Sequence, residues 1–167
     1  LVPVFVLFLA AVSLPAAEDA REVRLEVEAS GFLPVFSAGT SVAVEITPRL
    51  FLGGGVHAFH VLGKSVHAEL FLEPVYLRRS LWRIASRLGV LLGVSEEFSF
   101  GPPPETFGGA GLHLGLLRLT VETGGPERGP GGFVLGVELG VRVMTDFTRL
   151  AGAATVSLIA GGATRAR

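Results

Sequence analysis

The chain has 167 residues and a net charge of −1, which gives no footing for binding nucleic acid. Only 17% of residues are charged and 49% are hydrophobic, where ordinary soluble domains carry about a quarter charged. There is no Cys, which excludes a disulfide scaffold and thiolate-based zinc or redox chemistry.

Leu1 to Val12 is a nearly unbroken apolar run, followed by Ser13-Leu14-Pro15-Ala16-Ala17 and then acidic Glu18-Asp19. This pattern predicts an export signal over residues 1–17, with cleavage near Ala16 or Ala17, although it has no basic n-region. Beyond it no apolar run reaches the roughly 18 residues of a membrane helix, yet the mean hydropathy of the whole chain is +0.57. High hydropathy without a spanning helix suits a membrane β-barrel, whose apolar residues are diluted by those facing the lumen.

From Glu22 to Ala29, Val23, Leu25, Val27 and Ala29 alternate with Glu22, Arg24, Glu26 and Glu28, which predicts a first strand. Gly31 through Gly39 reads as a loop. Val42, Val44 and Ile46 alternate with Ala43, Glu45 and Thr47 in a second strand, which Pro48 bulges or ends. Gly53-Gly54-Gly55 reads as a break. Val56 to Leu62 and Ser65 to Leu77 are predicted strands joined by Gly63-Lys64, a type II′ hairpin signal. Such a turn sets His60 opposite His67. It gathers His60, His67 and Glu69 on one face and leaves His57 on the apolar face with Phe59, Val61, Val66, Ala68 and Leu70.

Arg78-Arg79-Ser80 turns the chain into its clearest strand, Trp82 to Val94. Trp82, Ile84, Ser86, Leu88, Val90, Leu92 and Val94 alternate there with Arg83, Ala85, Arg87, Gly89, Leu91 and Gly93. Ser95 to Thr106 contains three consecutive prolines and reads as a loop. Phe107 to Glu122 places Ala110, Leu112, Leu114 and Leu116 against Gly111, His113 and Gly115. The phase then slips, so that Leu117, Leu119 and Val121 alternate against Arg118, Thr120 and Glu122. A bulge near Leu116 accounts for the slip. After a Gly/Pro turn from Thr123 to Pro130, Phe133, Leu135, Val137, Leu139, Val141 and Val143 alternate with Gly136, Glu138, Gly140 and Arg142. Thr148 to Ala160 is the eighth strand, and residues 161–167 read as a disordered tail.

Eight strands joined by short links are antiparallel neighbours, and eight close into a barrel that side chains just fill. The predicted fold is therefore all-β, an eight-stranded antiparallel up-and-down barrel over residues 21–160. Its polarity follows from the two faces. One carries large aliphatics without interruption, the other Gly and charges of both signs. A soluble exterior would be dense in Lys, Glu, Thr and Ser. Trp82 and Phe133 begin their strands, where interfacial aromatics belong. The barrel is thus of the transmembrane type, with Arg83, Arg87, His113, Glu138 and Arg142 as a lumen charge network, joined by Glu45 and Glu69. Arg83 and Arg87 are expected to pair with Glu138.

The stretches Trp82–Val94 and Phe133–Val143 resemble the small eight-stranded outer-membrane barrels of the OmpA/OmpW type. The resemblance is one of pattern over residues 21–160 and not of a sequence signature. It implies residence in the outer membrane, contact with the lipid bilayer and handling by the outer-membrane insertion machinery. It also implies a structural, binding or small-solute passage role without catalysis. Aromatic girdles in such barrels are rich in Tyr and Trp. With one of each in this chain, Phe32, Phe36, Phe51, Phe98 and Phe100 are expected to take their place.

His60, His67 and Glu69 are candidate ligands for a small solute or a metal, weighed against a plainer role as polar lumen wall. No cofactor is expected. Two other functions stay open: a soluble periplasmic barrel that binds an apolar ligand inside, and a lipid-modifying barrel enzyme using His57. The enzyme lacks support from a Ser-His-Asp order or a Gly-x-Ser-x-Gly motif. Neither Gly53-Gly54-Gly55 nor Gly108-Gly109-Ala110-Gly111 has the context of a phosphate loop. The proline-rich loop at 101–105 is the candidate surface for extracellular partners.

Overall fold

A computed structural model describes residues 21–32, 35–60, 63–79, 81–97, 106–123, 131–145 and 150–166. The expected export signal and proline-rich loop lie outside these residues. Eight strands follow in order: β1 (Arg21–Phe32), β2 (Val35–Thr47), β3 (Leu50–His60), β4 (Gly63–Arg78), β5 (Trp82–Glu97), β6 (Thr106–Glu122), β7 (Gly131–Thr145) and β8 (Leu150–Ala166). Each pairs antiparallel with the next, and β8 pairs with β1, so the sheet closes into a barrel. The strands run from 11 to 17 residues, at or beyond the roughly 9–11 that a tilted strand needs to cross a bilayer. Among the described residues no helix is long and apolar enough to cross a membrane.

The two faces sort by polarity in the sense opposite to a soluble domain. Leu25, Val27, Leu70, Leu88, Val90, Leu92, Leu135 and Leu158 are exposed on the outside, Leu70 by 64%. Glu26, Arg24, Arg87, Arg118, Glu73 and Glu138 are buried inside. Apolar side chains fill part of the interior: Ala43, Phe51, Phe71, Val75 and Ala85 form one buried cluster. Phe51 therefore corrects the expectation of a girdle residue, since its alternation points it into the lumen. Phe36 is exposed on the outer wall, as are Trp82 and Phe133.

Several strands run further than the sequence signals suggested. Gly31 and Gly39 sit in strands, and Gly53-Gly54-Gly55 lies inside β3 without a break. Close approach explains the last case: a Cβ at Gly53 would collide with the ring of Phe71. The segment expected to be a disordered tail continues β8 to Ala166. There it pairs with β1 (Arg21↔Ala166), because the closing seam gives those backbone groups partners.

Two bulges decide which residues face inward. Leu116 is an extra residue relative to both neighbours of β6, with register shifts between Ala85/Arg87 and Gly115/Leu117. Leu116 and Leu117 both stay outside, and the parity flip swings Arg118 into the lumen. Tyr76 does the same on β4, where the register shifts between Val75/Leu77 and Arg78 turns inward. A third shift, between Glu45/Thr47, precedes the Pro48 turn.

A glycine in the inner wall tests the packing. A Cβ at Gly115 would stand 2.8 Å from the carboxyl carbon of Glu138 and 3.0 Å from Cβ of Arg87. Gly115→Val is expected to cost about 1–3 kcal/mol by overpacking. Gly108→Ala, with nothing within 4 Å of the added carbon, is the neutral comparison. Urea unfolding of both variants in lipid vesicles gives the difference.

Candidate functional site

Among the described residues, the inner faces of seven strands supply a charge network that runs the length of the barrel. At the end where β1 begins, Arg78 donates to Glu45 at 3.2 Å and pairs with Glu22. Arg83 pairs with Glu122, and its Nε donates to Thr120 Oγ1 at 3.4 Å. One level deeper, Arg24 donates to Glu73 at 2.7 Å and to Glu26 at 3.1 Å, while its guanidinium stacks 4.0 Å over the ring of Phe51.

The middle of the lumen holds two arginines that face several carboxylates each. Arg118 donates to Glu138 at 2.9 Å, pairs with Glu26 and reaches Glu73 at 3.3 Å. Arg87 lies 3.2 Å from Glu26, 3.6 Å from Glu73 and 3.9 Å from both Glu69 and Glu138, over the ring of Phe71 at 3.9 Å. A chain of imidazoles and carboxylates follows. His113 Nε2 is 2.8 Å from Glu138, its Nδ1 is 2.7 Å from Glu69, and the other oxygen of Glu69 is 2.6 Å from His57 Nε2. Toward the far end, Arg142 binds Glu28 and donates to the hydroxyls of Ser37 at 2.8 Å and Ser30 at 3.2 Å.

The electrostatics explain why these groups occur together. A lone buried ion costs several kcal/mol in lost hydration, so each charge must be met by opposite charge and by hydrogen bonds. Guanidinium suits this because its planar fork serves several carboxylate oxygens at once. The contacts also cross the barrel. β1 and β5 are diametrically opposite, yet Arg87 of β5 reaches both Glu26 and Glu28 of β1. Side chains that bridge opposite walls tie the cylinder together across its middle.

Of the expected lumen network Arg83, Arg87, His113, Glu138, Arg142 and Glu69 are buried inside, and Glu45 is half-buried at the end where β1 begins. Their pairing differs in part. Arg87 approaches Glu138 at 3.9 Å, but Arg83 sits nearer the end of the barrel and meets Glu122 and Glu22. The histidine set is rearranged. The register places His57 opposite His67 and His60 opposite Lys64, three positions from the arrangement a tight Gly63-Lys64 turn would give. An odd shift exchanges the two faces of a strand. His57 is accordingly buried in the lumen with Glu69 and not on the lipid face, so the lipid-enzyme reading loses its outward histidine. His67 and Glu69 are buried inside, and His60 does not stand across from His67. Among the described residues no three His, Asp or Glu side chains are placed to hold one metal ion.

Other members of the network were not singled out in advance: Glu22, Arg24, Glu26, Glu28, Glu73, Arg78, Arg118 and Glu122. The signal for β1 was present, since its charges alternate strictly with Val23, Leu25 and Val27. Its weight became visible only when the strand closed against β8.

The backbone of the barrel superposes on a known architecture. The N-terminal β-barrel domain of Pseudomonas aeruginosa OprF matches with a TM-score of 0.57 at 10% identity, over 89% of this chain and 100% of that one. The fold is that of a small outer-membrane barrel. Neisserial surface protein A gives a TM-score of 0.46 at 11% identity, covering 87% of this chain and 95% of its own. Ail, the attachment invasion locus protein of Yersinia pestis, gives 0.47 at 12% identity, covering 88% and 97%. No protein-family model and no curated protein matches the sequence. The interior of an eight-stranded barrel is just wide enough for side chains to fill.

Proposed function

We propose that the chain works as an outer-membrane β-barrel with a closed, salt-bridged interior, a structural or binding scaffold that neither catalyses a reaction nor passes solutes. The observation that carries this reading is the cross-lumen network centred on Arg87 and Arg118, which are 2% and 1% exposed. A pore needs a continuous wet path, whereas these guanidiniums and their carboxylates bridge opposite walls at hydrogen-bond distance. The outer wall supports membrane residence: Leu70, Leu92, Leu158 and Phe133 would be a large aggregation surface in water.

Two measurements test this. Carbonate extraction of membranes from an expressing cell is expected to leave the chain in the pellet, and complete release would overturn the membrane assignment. In planar bilayers the purified barrel is expected to give no discrete openings. Reproducible single-channel steps would show that the network gates a pore and would restore the passage role.

A further inference from the structure

The charges at the end of the barrel where β1 begins are sorted by sign. The described carboxylates there, Glu22, Glu45 and Glu122, are drawn inward by Arg78 and Arg83. Arg49 and Arg79 are exposed and Arg21 is half-exposed, and among the described residues no carboxylate pairs with any of the three. The described outer rim at this end is therefore purely cationic. The chain's one Tyr and one Trp lie beside it, both exposed. Tyr76 holds the hydroxyl of Ser86 at 2.7 Å, and the Arg79 amide donates to the Trp82 carbonyl at 2.9 Å. The Val75 amide donates to the Arg49 carbonyl at 2.8 Å, which sets the β2–β3 turn against the same stretch of β4. Phe133, 75% exposed, stands at the same end on β7.

We propose that this rim is a binding collar for the phosphate headgroups of anionic glycerophospholipids, using Arg21, Arg49 and Arg79. The inference rests on the barrel lying in a membrane, as argued above. Tyr and Trp mark the level where hydrocarbon gives way to headgroups. Arg79 follows Tyr76 by three residues, which at about 3.3 Å per residue along a strand tilted by about 40° places it up to roughly 7–8 Å further along the axis, toward the phosphate layer. A guanidinium meets phosphate oxygens with two parallel hydrogen bonds, a geometry that a zwitterionic headgroup satisfies less well because its own ammonium competes. Inward capture of the acids removes the repulsion that a mixed rim would offer to an anionic lipid.

The test uses the full chain inserted in phosphatidylcholine vesicles with a trace of spin-labelled phosphatidylglycerol or spin-labelled phosphatidylcholine. Electron spin resonance reports the fraction of each label held at the barrel. The wild type is expected to favour phosphatidylglycerol about fivefold or more, since each arginine near an anionic headgroup contributes about that factor. The preference is expected to fall as salt is raised. The triple variant Arg21→Ala/Arg49→Ala/Arg79→Ala is expected to approach parity, and the matching triple Lys variant to keep most of the preference. Arg79→Glu alone, at an exposed turn, gives the same direction should the triple variant fold poorly. Equal association of both labels with the wild type, or an unchanged preference in the variants, would overturn the collar. Loss of the preference in inorganic phosphate, but not in chloride of equal ionic strength, would assign the site to free phosphate and overturn the lipid. A chain that carbonate washes out of the vesicles fails the membrane reading, while an inserted chain without lipid preference fails only the collar.

Discussion

Arg118→Ala is expected to cost about 3–5 kcal/mol of stability, the scale for removing one partner of a buried ion pair. Arg118 is 1% exposed and holds three carboxylates, those of Glu26, Glu73 and Glu138. Without it the three acids face each other around Arg87, already in contact with all of them at 3.2 to 3.9 Å. Lysine at this position is expected to recover only part of the loss, because an ammonium cannot serve three acceptors held in different directions. Adding Glu73→Gln to Arg118→Ala is expected to return part of the stability, since it removes one stranded charge. That non-additivity distinguishes a network from a set of independent pairs. Urea unfolding in vesicles, followed by the fluorescence of the single Trp82, gives the free energies. A loss below about 1 kcal/mol, the worth of an exposed ion pair, would mean that the interior is wet and the network dispensable.

Leu70→Arg is expected to cost about 2–4 kcal/mol, the penalty for an arginine on the lipid face near the membrane midplane. Leu70 lies halfway along β4, is 64% exposed, and pairs with Val90 on one side and Gly54 on the other. In a soluble barrel, an exposed position of this kind would tolerate the change within about 0.5 kcal/mol. The same substitution therefore separates the two polarities by the size of its effect. Unfolding in vesicles of thinner and thicker bilayers sharpens the test, because the penalty depends on depth. A Leu70→Arg barrel as stable as the wild type would refute burial of this wall in lipid.

The fold was legible because a strand in a two-faced barrel writes its environment into alternate positions. Leu88, Val90 and Leu92 against Arg87, Gly89 and Leu91 identify wall and lumen without any knowledge of neighbours. The adjacent leucines at 116 and 117 even disclosed the bulge that turns Arg118 inward. Pairing across the lumen was less legible, because it depends on height along the axis. Arg83 and Glu138 have the same parity, yet tilt and register put Arg83 beside Glu122. The β3–β4 turn departs from its expected form for a related reason. Gly63-Lys64 has the composition of a tight turn, but both residues pair as the start of β4, and the odd shift turns His57 into the lumen. Local composition names a turn type, whereas register is settled by every contact along the two strands. The glycines of β3 failed as break signals because their purpose is clearance for Phe71 and the neighbouring backbone, which belong to other strands.

The seam between β1 and β8 joins the two most distant parts of the described chain, so it is the last sheet contact that local zipping can reach. The inner face of β1 carries Glu22, Arg24, Glu26 and Glu28, an acidic edge. The inner faces of β5, β6 and β7 carry Arg83, Arg87, Arg118 and Arg142 against Glu122 and Glu138, a basic half. While the sheet is still open these two regions attract across the gap, and the attraction strengthens as the sheet curls and water leaves. Complementary charge thus favours closure with this sense of curl, because a sheet curled the other way would turn all of these ions toward hydrocarbon.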